Sequence, residues 1–282
     1  MLNLVKMNLY RLFKSKNWIA LLVMLIMAFT VSAVEIAMQR SDATETVVNE
    51  DGTEVTTYTD EEGGVYIEAQ AVDLTISEVY ASFNGEFTLL VIGIFAVVYC
   101  ENERKHGFVK NLSVRKKDKA LVFASKIAPA FVFSIATIAV SFIGVLLGSV
   151  AEGGIPMGDV AGMIKYSCVA VLLCTAFIMF SMALYELFRK NVAAVLISAF
   201  TAVGLIPQLV FYGEIGLIKL GILSERFASD LDITQHMITM RFNTMNYANM
   251  FANKPNNIVI ALIGIAVYLT IGMLLYRKKD VV

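Results

Sequence analysis

Two features of this chain could do chemistry: a carboxylate set against a long apolar run, and a dense charged segment between two such runs. Glu86 is followed by an uncharged stretch, 87–100. A carboxylate at membrane depth costs roughly 3 kcal/mol or more unless water, a partner or a cavity receives it. Glu86, with Asn84 just before it, therefore has two readings. One is the outer end of a polar pathway that could receive a cationic group; the other is a helix-end residue in the headgroup layer. The charged segment, 101–112, contains Glu101, Glu103, Arg104, Gly107, Phe108, Lys110 and Leu112. Its mixture of acids and bases suits a polar protein interface. It equally suits a loop whose charges only set topology.

Other chemistries lack their residues. His106 and His236 have no cysteine or carboxylate at metal-ligand spacing, so no metal site is expected. Cys100, Cys168 and Cys174 lie in or beside apolar runs and read as small hydrophobes, not as a disulfide framework. The sequence has no Gly-x-x-x-x-Gly-Lys-Ser/Thr loop to cradle a nucleotide phosphate. An intramembrane protease would need paired carboxylates and histidines at membrane depth, and these too are missing. The chain is not expected to be an enzyme, to bind a cofactor of its own or to contact nucleic acid.

The elements that position these residues follow from hydropathy. Hydrophobic residues make up 57% of the chain and charged ones 17%, too little polar surface to cover a water-soluble domain of 282 residues. A helix needs about 20 apolar residues to cross a bilayer. Six stretches qualify, at about 17–38, 80–100, 127–151, 166–187, 191–213 and 255–276. The expected fold is an all-α integral membrane protein in which the second span contains Glu86. Pro129 opens or kinks the third span, Gly204 and Pro207 fall towards the far end of the fifth, and Pro255 opens the sixth at helix position N1. Gly144 and Gly148 have the spacing for close helix packing, expected within one subunit. Residues 1–16 form a basic amphipathic helix suited to the inner leaflet. The segment 214–254 carries too many charges to span and reads as surface or re-entrant helices.

Charge segregation orients the chain. Sixteen of the 23 lysines and arginines fall before the first span, in 101–119, at 189–190 and at 277–279. Residues 39–79 hold a run of acids with only Arg40 opposing them. By the positive-inside rule both termini are cytoplasmic and the acidic loop lies outside. Within that loop, 54–58 is β-prone and 60–64 turn-prone, so a small hairpin and a solvated loop are both open. Lys126 and Lys165 are expected to snorkel to the two interfaces.

An amphipathic helix before span one, a loop after span two with Glu103, Gly107 and Leu112, and Lys126 at the start of the next span together resemble ABC-2 type permeases. The resemblance covers essentially the whole chain, including the large loop after span one and the broken segment before span six. It implies a plasma-membrane exporter subunit that pairs with a second copy or a related permease and with a separate ABC ATPase that binds ATP and Mg. In that reading 101–112 seats in a cleft of the ATPase. The architecture is similar to bacterial exporters of phenol-soluble-modulin-like peptide toxins or drugs, which implies amphipathic peptides or hydrophobic compounds as cargo. A sensor or immunity subunit of such a complex is the alternative.

Overall fold

The computed structural model describes residues 2–41, 45–48, 54–59, 65–69, 75–105, 116–151, 156–220, 233–247, 249–251 and 256–278. Helix α1 (Leu2–Lys14) is followed by α2 (Asn17–Ser41), and the axis bends by 58° between them. Three short strands, β1 (Glu45–Val48), β2 (Glu54–Thr59) and β3 (Val65–Ala69), form an antiparallel sheet in the order β1-β2-β3. Glu45 lies opposite Thr57, and Val55 opposite Ala69. The fold is thus helical with a small sheet in its acidic loop, where an all-α chain was expected and a hairpin left open. The turn expected at 60–64 lies outside the described residues.

The second apolar stretch is two helices, α3 (Ile76–Phe83) and α4 (Glu86–Lys105), not one continuous span. Thr75 starts α3 with a capping box: its hydroxyl accepts from the Glu78 N–H, and the Glu78 carboxylate accepts from the Thr75 N–H at 3.1 Å. Asn84 ends it by donating to the Tyr80 carbonyl at 2.8 Å. Glu86 then falls in the first turn of α4, where the helix dipole favours an acid.

Helices α5 (Lys116–Ala124) and α6 (Ile127–Ala151) meet at a turn formed by Ser125 and Lys126. Pro129 sits in the first turn of α6, where its missing N–H costs nothing. Helix α7 (Val160–Phe188) ends at Arg189, whose left-handed backbone (φ 52°) leads into α8 (Asn191–Ala202). The fifth stretch is also broken. Gly204 adopts φ 77°, a conformation that disfavours any side chain, and α9 (Leu205–Lys219) leaves α8 at 69°. Pro207 lies in the first turn of α9.

After residues outside the described set come α10 (Ile233–His236), α11 (Ile238–Asn243) and α12 (Asn257–Lys278). The start of α12 is set by Asn256, whose side chain accepts from the Ile258 N–H at 3.0 Å. Pro255, expected at N1 of this helix, lies outside the described residues.

Three described helical stretches are long and apolar enough to cross a membrane alone, and up to five if each bent pair counts as one. Helix α4 is not among them because Glu86, Glu101, Glu103, Arg104 and Lys105 crowd its ends. Helix α7 is central: 67% of its apolar window is buried against 17% for α12. Glycines set the closest approaches. A Cβ on Gly144 would sit 2.6 Å from Phe29 Cβ, so α6 and α2 pack tightly within one chain, as expected of that residue. Gly93 of α4 lies against Ser198 of α8, Gly264 of α12 against Ile238 of α11, and Gly272 of α12 under the Phe123 ring.

Candidate functional site: a buried ion cluster at the basic end

Four charged side chains from four parts of the chain converge where α4, α7 and α12 end. The centre is Lys126, fully buried in the α5–α6 turn. Its ammonium lies 2.7 Å from the Glu103 carboxylate of α4 and 3.6 Å from that of Glu186 in α7. Arg11 of α1 approaches Glu103 at 3.7 Å. Formal charge balances, two cations against two acids, as burial demands when an unpaired ion would cost several kcal/mol.

The shell of the cluster completes the ammonium's surroundings. The Phe123 and Tyr276 ring centroids lie 5.3 and 5.1 Å from Lys126 Nζ, within cation–π range, and Cys100 Sγ is 3.6 Å away. Helix α1 is anchored by Asn8, which donates to Ser125 Oγ at 2.7 Å and accepts from Arg11. The Tyr99 hydroxyl donates to the Asn8 carbonyl at 3.0 Å, and the Arg11 guanidinium lies 5.2 Å over the Tyr99 ring. Ser125 in turn donates to the Val122 carbonyl. One polar knot thus ties α1, α4, the α5–α6 turn, α7 and α12 together.

Lys126 was expected to snorkel and does not. With α4, α7 and α12 around it, its side chain is fully buried, and paired carboxylates hold its charge instead. Lys165, by contrast, is exposed.

The residues of 101–112 separate. Glu103 is 2% exposed and faces inward to Lys126, so its carboxylate is not on the outer face of that segment. Glu101 pairs with Lys105 at 3.0 Å, one helical turn on, and Arg104 donates to the Arg189 carbonyl at 3.4 Å, bridging to the α7–α8 turn. Gly107, Phe108, Lys110 and Leu112 lie outside the described residues.

Asn84 and Glu86 do not form one site. Asn84 is buried as the α3 cap, whereas Glu86 is exposed. Glu86 Oε1 is 4.0 Å from the point where a Cβ on Gly204 would sit, so this carboxylate lies beside the α8–α9 break. At that end of the bundle, Tyr80 meets Tyr166 edge to face and Tyr166 meets Tyr247 at a tilt, joining α3, α7 and the turn after α11. Among the described residues no group of three histidines, cysteines or carboxylates could hold a metal ion.

Sequence reading missed Asn8, Tyr99, Glu186 and Tyr276. The available signal was Lys126 itself: a lysine between apolar runs requires an acid at the same depth. Glu186, at the end of the fourth stretch, meets that requirement.

A family model described as ABC-2 family transporter protein matches residues 4–205, which include most of α1 together with Glu103, Lys126 and Glu186. No match to a curated protein is found.

Proposed function

This chain belongs to the ABC-2 transporter family, and we propose that it is the membrane-spanning subunit of an exporter powered by ATP hydrolysis on a separate chain. Its six spans are α2, α3 with α4, α6, α7, α8 with α9, and α12. Both termini and the basic end face the cytoplasm of a plasma membrane, following the lysine and arginine distribution. The pathway forms with a second copy or a related permease, and the partner ATPase carries ATP and Mg.

The observation that carries this reading is the ion cluster at the root of 106–115. Helix α4 ends at Lys105, two residues beyond Glu103, so a force on the following segment reaches the cluster within one helical turn. From there the shortest physical link runs through Lys126 to α6 and Glu186 to α7, with Arg11 drawing in α1. Apolar faces can slide over one another; ion pairs in a low-dielectric setting hold a register. The cluster therefore makes α1, α4, α6 and α7 move together when an ATPase moves 101–112.

The cargo is an amphipathic peptide or a hydrophobic compound, with Glu86 at the outer mouth receiving a cationic group beside the α8–α9 break. Its exposure and its place at a helix break support that role. Glu86→Gln is expected to leave insertion and stability unchanged while lowering efflux of cationic amphipathic peptides several-fold. Glu86→Leu should lower it further, with neutral hydrophobic cargo less affected. The assay is peptide-stimulated ATPase activity and efflux at matched expression. Equal activity in wild type and both variants would remove Glu86 from the pathway.

A further inference from the structure

Helix α1 has two faces, and the fold decides which of them points away from the protein. Asn8 and Leu12 are buried against the bundle, and Arg11 turns inward to Glu103. The opposite side carries Leu2, Lys6, Tyr10, Phe13 and Lys14 at helical spacing, all exposed. Leu2, Tyr10 and Phe13 are 68%, 64% and 60% exposed, large apolar side chains left uncovered by a helix that is itself docked. The apolar residues of α1 are thus divided: Leu12 serves the bundle, while Leu2 and Phe13 face outward.

Charge identifies what covers this face. The first acidic residue of the chain is Glu35, so α1, the turn after it and most of α2 hold no carboxylate. Lys6 and Lys14 lie on the outer face and Lys16 follows in the turn; among the described residues none of the three forms an ion pair. Lys14 Nζ instead lies 5.6 Å from the centroid of the Tyr10 ring. The 58° bend keeps α1 near the level at which α2 begins, since its 13 residues advance only about 10 Å along the α2 axis. A surface of large apolar side chains interleaved with ammonium groups matches a bilayer boundary, and ammonium groups without acids match a boundary of negative charge.

We infer that the outer face of α1 binds acidic phospholipid in preference to zwitterionic lipid, with the headgroups taken by Lys6, Lys14 and Lys16 and the acyl chains covering Leu2, Tyr10 and Phe13. Either lipid covers the apolar side chains equally well; the lysines select the negative headgroup. Each lysine at such a surface adds a factor of roughly five to the preference at low salt. Because Arg11 and Asn8 sit on the inner side of the same helix, acidic lipid holds in place the helix that closes the ion cluster.

The chain carries its own probe. Trp18, its only tryptophan, lies just after the α1–α2 turn with its ring edge to face against Phe13 at 6.0 Å. The test is quenching of Trp18 fluorescence by lipid brominated on its acyl chains, with the full chain in vesicles of equal parts phosphatidylglycerol and phosphatidylcholine and the bromine on one or the other. No ATPase, nucleotide or cargo is present, so the outcome is separate from that of any export assay. Brominated phosphatidylglycerol is expected to quench at least twofold more strongly, and the preference to fade at about 1 M salt. The triple variant Lys6→Gln, Lys14→Gln, Lys16→Gln should lose the preference, while the corresponding triple arginine variant, which keeps the charge, should retain it. Equal quenching by the two lipids in wild type overturns the inference, as does a preference that survives in the glutamine variant. Equal quenching combined with loss of a co-purifying protein from the glutamine variant overturns it in favour of an acidic protein surface.

Discussion

Lys126→Met is expected to destabilise the folded chain by about 3–5 kcal/mol, because it removes the central cation shared by the Glu103 and Glu186 carboxylates and leaves the site with an excess of negative charge where water is excluded. Breaking a buried pair from one side is worse than removing it altogether: the remaining charge keeps its desolvation cost and loses its partner. Arg11, 3.7 Å from Glu103, balances only one of the two carboxylate charges. The chain provides its own reporter. Cys168 is exposed, while Cys100 and Cys174 are buried and are expected to react with a thiol dye only on unfolding. The midpoint should fall by roughly 6–20 °C. A shift under 2 °C would mean that the charges are solvated in the folded protein.

The triple variant Lys126→Met, Glu103→Gln, Glu186→Gln should behave differently. Removing the charges together removes the desolvation cost together, and such neutral replacements are often as stable as the original network. Its midpoint should return to near that of wild type, while cargo-stimulated ATPase activity and export fall at least tenfold. The expected split arises because α1, α4, α6 and α7 still pack but no longer share a charge-fixed register. Wild-type export by a stable triple variant would reduce the cluster to a packing device. Loss of both stability and export would leave coupling to be tested with Arg11→Gln, which touches the cluster only at its partly exposed edge.

Much of the helical framework was legible because lipid imposes a simple rule: an uncharged run long enough to cross must be a helix. The apolar stretches around 127–151, 166–187 and 255–276 follow that rule, and their helices α6, α7 and α12 begin or end within a few residues of expectation. The breaks were less legible. The second stretch was read as continuous because 87–100 alone is short for a bilayer. Two local signals of the break went unread, the Thr75–Glu78 capping box and the Asn84–Gly85 turn pair. Gly204 was noticed, but its effect depends on a positive φ that sequence does not display.

The candidate site divides the same way. Glu103 and Lys126 stood out individually, one as part of a charged segment and one as an isolated lysine. Their pairing did not, and neither did the joining of Glu186 and Arg11, because the partners come from helices far apart in sequence and meet only once α7 is enclosed by its neighbours. Snorkelling is the cheaper solution for a lysine on a single helix against lipid; it fails when three other helices surround the ammonium. Asn8 could not be recognised from amphipathicity, since it places a polar residue on the face of α1 that docks against the bundle.

Coupling to a separate ATPase is tested by affinity purification of the full chain, in mild detergent, from cells that co-express a candidate ABC ATPase. The ATPase is expected to stay bound, hydrolysis in the complex to be lost when the ATPase's own nucleotide site is disabled, and Gly107→Trp with Glu101→Lys to weaken retention while membrane insertion continues. A chain that hydrolyses ATP without the partner, or that retains no ATPase under any mild condition, would contradict that coupling.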